Sequence, residues 1–321
     1  MTNTSAALQL PPELLGTVFR LIRSTSKAAV ANRDLAAFAL VCRNWHVPAT
    51  VELYRIFEIK AATGCWPSEE KRFDELTSSS KAELVQVVAL RCRGRWDSTN
   101  ERFWWAEKLP QVRHVELLEL AGRDEPAVES LARSVVGLAD CLVSLTINGA
   151  CTKPTQILLT QLPTLTSFTQ LGAPSTHGFF LHADLPPPPF RLQQHSLRNA
   201  WAPEYLDWLI RNSHTSLSAL SLAPFPDAFH PALDLSRSPN LSHLSLPVDI
   251  IVEILEFGDY LFSLEDVVDA LNSGGLPASL RVLRMGRSRI DNGIDDEDEE
   301  REREMLRVKA GERGISVEWW R

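Results

Sequence analysis

Cysteine is scarce in this chain of 321 residues. Its five cysteines (Cys42, Cys65, Cys92, Cys141 and Cys151) are odd in number and form no CxxC pair. That pattern argues against a disulfide framework and a zinc ribbon, and for free thiols in a reducing compartment, cytoplasmic or nuclear. Long apolar runs are also missing. Leu35 to Cys42 is among the longest, far short of the roughly eighteen residues a membrane span needs. The polar N-terminus lacks the basic-then-apolar order of a secretory leader. No membrane partner is therefore expected.

Positive charge is thin. The net charge is −8, and Asp291 to Glu304 holds nine acidic residues against two arginines, so this tract alone carries −7 and the rest of the chain −1. No basic run exists to collect phosphates, and nucleic acid is not an expected partner. Catalytic motifs are absent as well. Asn272-Ser273-Gly274-Gly275 is no nucleophile elbow, and no P-loop occurs. The carboxylates after Asp291 lack the glycine and terminal glutamate of a calcium loop. His177, His182 and Asp184 have no standard metal-ligand spacing and read as loop residues. The chain is accordingly expected to be no enzyme, with no catalytic residues, metal or cofactor.

Two patterns are present. The first is helical and lies within residues 1–60. Pro12 and Glu13 suit a helix start, and Leu14, Leu15, Val18, Leu21 and Ile22 follow at helical spacing. Asp34 reads as the N-cap of a second helix carrying Leu35, Phe38, Val41, Cys42 and Trp45. A third run, Ala49 to Phe57, follows Pro48. Three short helices bury little core alone, so such a unit rests on a neighbour or offers an apolar face to a partner.

The second pattern is a phrase, apolar-x-x-apolar-x-apolar, found from Val85-x-x-Val88-x-Leu90 onward. It returns at Val112, Leu142, Leu165, Leu192, Leu217, Leu241 and Leu280, with a less clean copy at Leu165 and His195 in an apolar slot. Apart from the last interval, the spacing lies at or just beyond the 20–29 residues of leucine-rich repeats. The last two apolar residues of each phrase stand two apart, so on a strand they share the inward face. Strand alternation then places Arg91, Glu116, Thr146, Asn148, Arg198, His243 and Arg284 on the outward, concave face, the candidate target-binding surface. Helical returns are expected at Glu125–Val136 and Pro203–Arg211, and within Val248–Leu255 and Leu264–Leu271. Asp184 to Phe190, with four prolines, reads as a stiff loop. Residues 61–80 read as a linker between the two parts, and 81–321 as the repeat domain. The acidic tract reads as a poorly ordered stretch, Asp291 to Asp298, running into a helix that ends near Lys309.

The helical segment resembles an F-box: Leu10-Pro11, then Glu13-Leu14-Leu15, then Leu40-Val41-Cys42-Arg43-Asn44-Trp45. Leu53-Tyr54-Arg55 is similar to the tail of fungal members. The segment between Ile22 and Asp34 departs from the family by being longer and more polar. With the repeats included, nearly the whole chain resembles fungal F-box proteins with leucine-rich-like repeats. Glu312 to Trp319 is similar to their final strand after a helix.

The resemblance implies an α/β chain, with a three-helix module followed by an irregular repeat solenoid built on a parallel sheet. It implies a substrate-recognition adaptor that docks a Skp-type adaptor of a cullin–RING ubiquitin ligase and holds an unknown target protein. Leu10, Pro11, Leu14, Leu15 and Val18 would then meet the adaptor, with Leu40, Val41 and Trp45 extending that surface. The alternative is an interaction scaffold that works without the ligase, its helical module serving only as a cap.

Overall fold

The computed structural model describes residues 10–26, 28–62, 66–93, 108–118, 135–148, 152–171, 181–182, 184–198, 203–222, 235–246, 271, 278–286 and 296–320. Three helices come first: α1 (Pro12–Thr25), α2 (Ala28–Phe38) and α3 (Arg43–Tyr54). Ten parallel strands follow and lie side by side in chain order, from β1 (Ile56–Ala62) and β2 (Val87–Arg93) to β9 (Val282–Gly286) and β10 (Ser316–Trp320). Between them are β3 (His114–Leu118), β4 (Ser144–Asn148), β5 (Ser167–Leu171), β6 (Gln194–Arg198), β7 (Ala219–Leu222) and β8 (His243–Leu246). The chain is thus α/β, with seven α-helices among the described residues. No helix among them is long and apolar enough to cross a membrane.

Each of the eight phrase copies lands on one strand, β2 to β9, and the register stacks them. Phe57, Val88, Val115, Leu145, Phe168, His195, Leu220, Leu244, Leu283 and Val317 form one continuous inward row across all ten strands. The first apolar residue of each phrase, from Val85 to Leu280, is fully buried just before its strand. Leu220, Leu222 and Leu244 are buried on adjacent strands, and Leu246 lies on β8 opposite Met285.

Ser and Thr before the phrases have a structural reason. The hydroxyls of Thr164, Ser216 and Ser279 each donate at 2.8 Å to the carbonyl that opens the previous phrase, at Leu142, Leu192 and Leu241. Successive turns of chain are thereby tied where no strand ladder reaches, since a buried carbonyl needs a donor.

Several boundaries differ from the sequence reading. Asp34 is no N-cap. It lies inside α2, because Ala28-Ala29-Val30-Ala31 is already good helix-forming sequence. Helix α2 stops at Phe38, so Val41 and Cys42 lie in the turn region before α3, which carries Trp45 and holds Pro48 inside it. Phe57 belongs to β1, not to a helix. The expected linker at 61–80 holds a fourth helix, α4 (Trp66–Thr77), whose Phe73 and Leu76 are buried in the sheet core. Asp296 to Asp298 open the helix Asp296–Glu312 instead of preceding it, as acidic groups favour a helix start, and that helix runs past Lys309. Its Arg303, Leu306 and Ala310 face inward, with the Arg303 guanidinium 5.0 Å from the Trp319 ring.

The return helix near Pro203 is found at Pro203–Ile210. The proline loop is pinned, with Trp208 Nε1 donating to the Pro186 carbonyl and Asn212 Nδ2 to that of Pro188. Trp104, Trp105, His177, Val248–Leu255 and nearly all of Glu125–Val136 and Leu264–Leu271 lie outside the described residues.

Two polar side chains interrupt the inward rows. Gln170 is fully buried and accepts from Tyr205 Oη at 3.0 Å. His195 is buried beside Phe168, whose ring it stacks on at 5.4 Å and whose carbonyl lies 3.0 Å from its Nδ1. Burial pushes the imidazole pKa down to about 4, against the opposing pull of the Phe168 carbonyl. The folded pKa lies below the unfolded value near 6.5, so the unfolded chain binds more protons in that window. Stability from neutral His195 is present above pH 6.5 and lost as the pH falls towards 4, by up to about 3 kcal/mol. Replacing it by the residue found next in the row at Leu220, His195→Leu, should flatten this decline. Urea midpoints of both proteins at pH 7 and pH 4.5 check it, and parallel declines would refute it.

Candidate functional site

Two surfaces collect the residues singled out in the sequence. The first lies on the three-helix module. Its own small core consists of Leu15, Phe19, Leu35 and Ala49, distinct from the sheet core, with Leu10, Ile22, Phe38, Ala39, Trp45 and Leu53 packed on it. Phe19 stacks on Phe38 at 5.5 Å, and Trp45 meets both rings edge-on at 5.8 and 5.6 Å. Aromatic groupings of this kind add to area burial in fixing a small core.

That core divides the apolar residues of α1 between two edges. Leu15 and Phe19 are buried, with Ile22 partly so, while Leu14 is 53% exposed, Val18 42% and Leu21 59%. The exposed three stand at i, i+4 and i+7 and so share one edge of the helix. Pro11 just before them is exposed, as are Val41 and, at 85%, Leu40 in the turn before α3. Val47 and Val51 on α3 are exposed too.

Of the set expected to meet an adaptor, Pro11, Leu14, Val18, Leu40 and Val41 are therefore accessible. Leu15 is not, because at 1% exposure it is core. Leu10 and Trp45 are half-buried and serve the same core. Leu21, outside the expected set, shares the exposed edge, and its spacing from Leu14 and Val18 is visible in the sequence. Val47 and Val51 also stand at i, i+4, but outside the segments that carry the resemblance.

The second surface is the outward face of the sheet. Arg91, Glu116, Thr146, Asn148, His243 and Arg284 alternate with the inward rows and lie on it, and Arg198 ends β6 at the register position opposite Leu171. Ion pairs stand near its two ends. Arg91 Nε lies 2.6 Å from Glu58 Oε1, and Arg284 Nε donates to Glu318 Oε2 at 2.7 Å. Between them Thr146, Thr169, Ser196, Ser221 and Ser245 form a row of hydroxyls on five neighbouring strands. Glu116 sits one strand beyond Arg91. Burial raises its carboxyl pKa, Glu58 adds to the rise and Arg91 opposes it.

His243 Nδ1 lies 2.8 Å from Ser242 Oγ, which resembles half of a nucleophile–base arrangement. The Ser242 hydroxyl donates to the Ser218 carbonyl at 3.1 Å, as Ser218 does to Gln193 one strand earlier. Its proton is thus used in the repeat's structural bonding. Among the described residues no group of three or more His, Cys, Asp or Glu side chains is placed to hold a metal. The chain matches no family model, and no curated protein matches it.

Proposed function

We propose that this chain is the substrate-recruiting subunit of a cullin–RING ubiquitin ligase. In this reading α1–α3 form an F-box that docks a Skp-type adaptor, and the ten-stranded array is an irregular leucine-rich-repeat solenoid. Its outward face holds a target protein, and rate enhancement comes from proximity supplied to enzymes elsewhere in the assembly.

The observation that carries the reading is the division of α1. Leu14, Val18 and Leu21 are exposed along one edge, although the module has a core of its own on the other. Aliphatic groups aligned on a helix edge are the chemistry of a helix-packing partner. The scaffold alternative uses the module as a cap, and a cap would turn this edge towards the sheet. The hydroxyl row bordered by ion pairs favours a polar protein segment on the outward face, because side-chain hydroxyls both donate and accept. Co-expression with a Skp-type adaptor tests the proposal. A stable complex is the expected product, and a well-folded chain that never retains the adaptor would overturn it.

A further inference from the structure

The joint between the helical module and the sheet holds a further feature. A cleft of about 420 Å³ is lined by Arg20, Leu21, Arg23, Arg55, Glu52 and the first residues of β1 and β2, Ile56 and Val87. Three arginines and one carboxylate thus stand among the described lining residues. That carboxylate is already engaged, since Arg55 Nη1 donates to Glu52 Oε1 at 2.8 Å and Glu52 is buried.

Arg23 is poorly compensated. Its Nη1 donates to Asn32 Oδ1 at 3.0 Å, but its Nε–H is buried without an acceptor among the described residues. A buried donor left unmade is costly, which makes this position hungry for an oxygen. Burial lowers the Arg23 pKa, with Glu52 opposing and Arg55 reinforcing that fall. His114, on β3, is lowered by burial and by the Arg55 charge. The hydroxyls of Thr17 and Ser24 donate to the helix carbonyls of Glu13 and Leu21, which leaves the arginines as the lining donors not committed to their own helix backbone.

We propose that this cleft is an oxyanion site that takes a phosphate group, held by Arg20 and Arg23 against the fixed Arg55–Glu52 pair. Guanidinium forks match phosphate oxygens in geometry. No basic run in the sequence announces it, because the fold assembles it from residues 20, 23 and 55. The phosphate is either a free ion or a phosphorylated side chain of a bound protein. Among the described residues, Leu21 of the exposed α1 edge borders the cleft, and Leu14 and Val18 do not.

Full-length protein and the variants Arg20→Gln and Arg23→Gln test the site, with inorganic phosphate and O-phospho-L-serine as probes. Sodium chloride at matched ionic strength controls for screening. Phosphate should raise the wild-type Tm beyond chloride, as a ligand of the folded state must. Each substitution should weaken phosphate binding at least about tenfold by calorimetry. Arg20 is exposed, so its variant keeps the test valid if Arg23→Gln folds poorly. Tighter binding of O-phospho-L-serine than of phosphate assigns the site to a phosphorylated side chain, and equal binding assigns it to the free ion. Equal effects of phosphate and chloride on the wild type, or wild-type phosphate binding by Arg20→Gln, would overturn the proposal.

Discussion

Leu244→Ala should destabilise the protein by about 2–5 kcal/mol, the cost of truncating a core leucine. Leu244 is 1% exposed and stands in the inward row between Leu220 and Leu283, both buried. The strands on either side are held by the same row, so collapse around the void is limited and cavity cost adds to lost transfer energy. The outward neighbour offers a control. Ser245→Ala removes a half-buried hydroxyl from the opposite face and should stay within about 0.5–1 kcal/mol. Urea midpoints at constant slope compare the two. A Leu244→Ala cost under about 1 kcal/mol would contradict the stacked inward row.

Leu14→Ala with Val18→Ala should weaken binding of a Skp-type adaptor by roughly thirtyfold or more, since buried aliphatic anchors often cost over about 2 kcal/mol together. Both side chains are exposed in the free protein. Their loss therefore removes apolar area that only a partner would cover, and the melting temperature should change little. Leu15→Ala gives the contrasting case. As core of the module it should lower stability first and affect the adaptor only through the fold. A double variant that binds as tightly as wild type would show that the edge of α1 is not the docking surface.

The repeat is legible because burial repeats with the phrase: the sequence holds eight copies and eight strands carry them, β2 to β9. The less clean copy at Leu165 is explained by Gln170, which fills an apolar slot and is kept there by Tyr205. Strand β1 escaped although Tyr54-x-x-Phe57-x-Ile59 repeats the phrase, and Phe57 and Ile59 pair with Val88 and Leu90. Its first residue closes α3, so Val51, Leu53, Tyr54 and Phe57 look helical together, and periodicity alone does not divide a helix from the strand it runs into.

The helix boundaries failed for a related reason. Asp34 is a good cap residue, yet alanine-rich sequence before it extends α2 upstream. The inward and outward apolar edges of α1 were merged because both fall within one broad stripe. Only the packing of Phe19 against Phe38 and Trp45 decides which edge is core. The arginine cleft was invisible for the opposite reason, since Arg55 is far in sequence from Arg20 and Arg23.

The most direct measurement of the central claim is calorimetric titration of the purified, folded wild-type chain with a purified Skp-type adaptor, with circular dichroism confirming that both proteins are folded. The account predicts saturable binding at a one-to-one ratio. Absence of any binding heat or complex by a chain that retains its cooperative unfolding transition would contradict it.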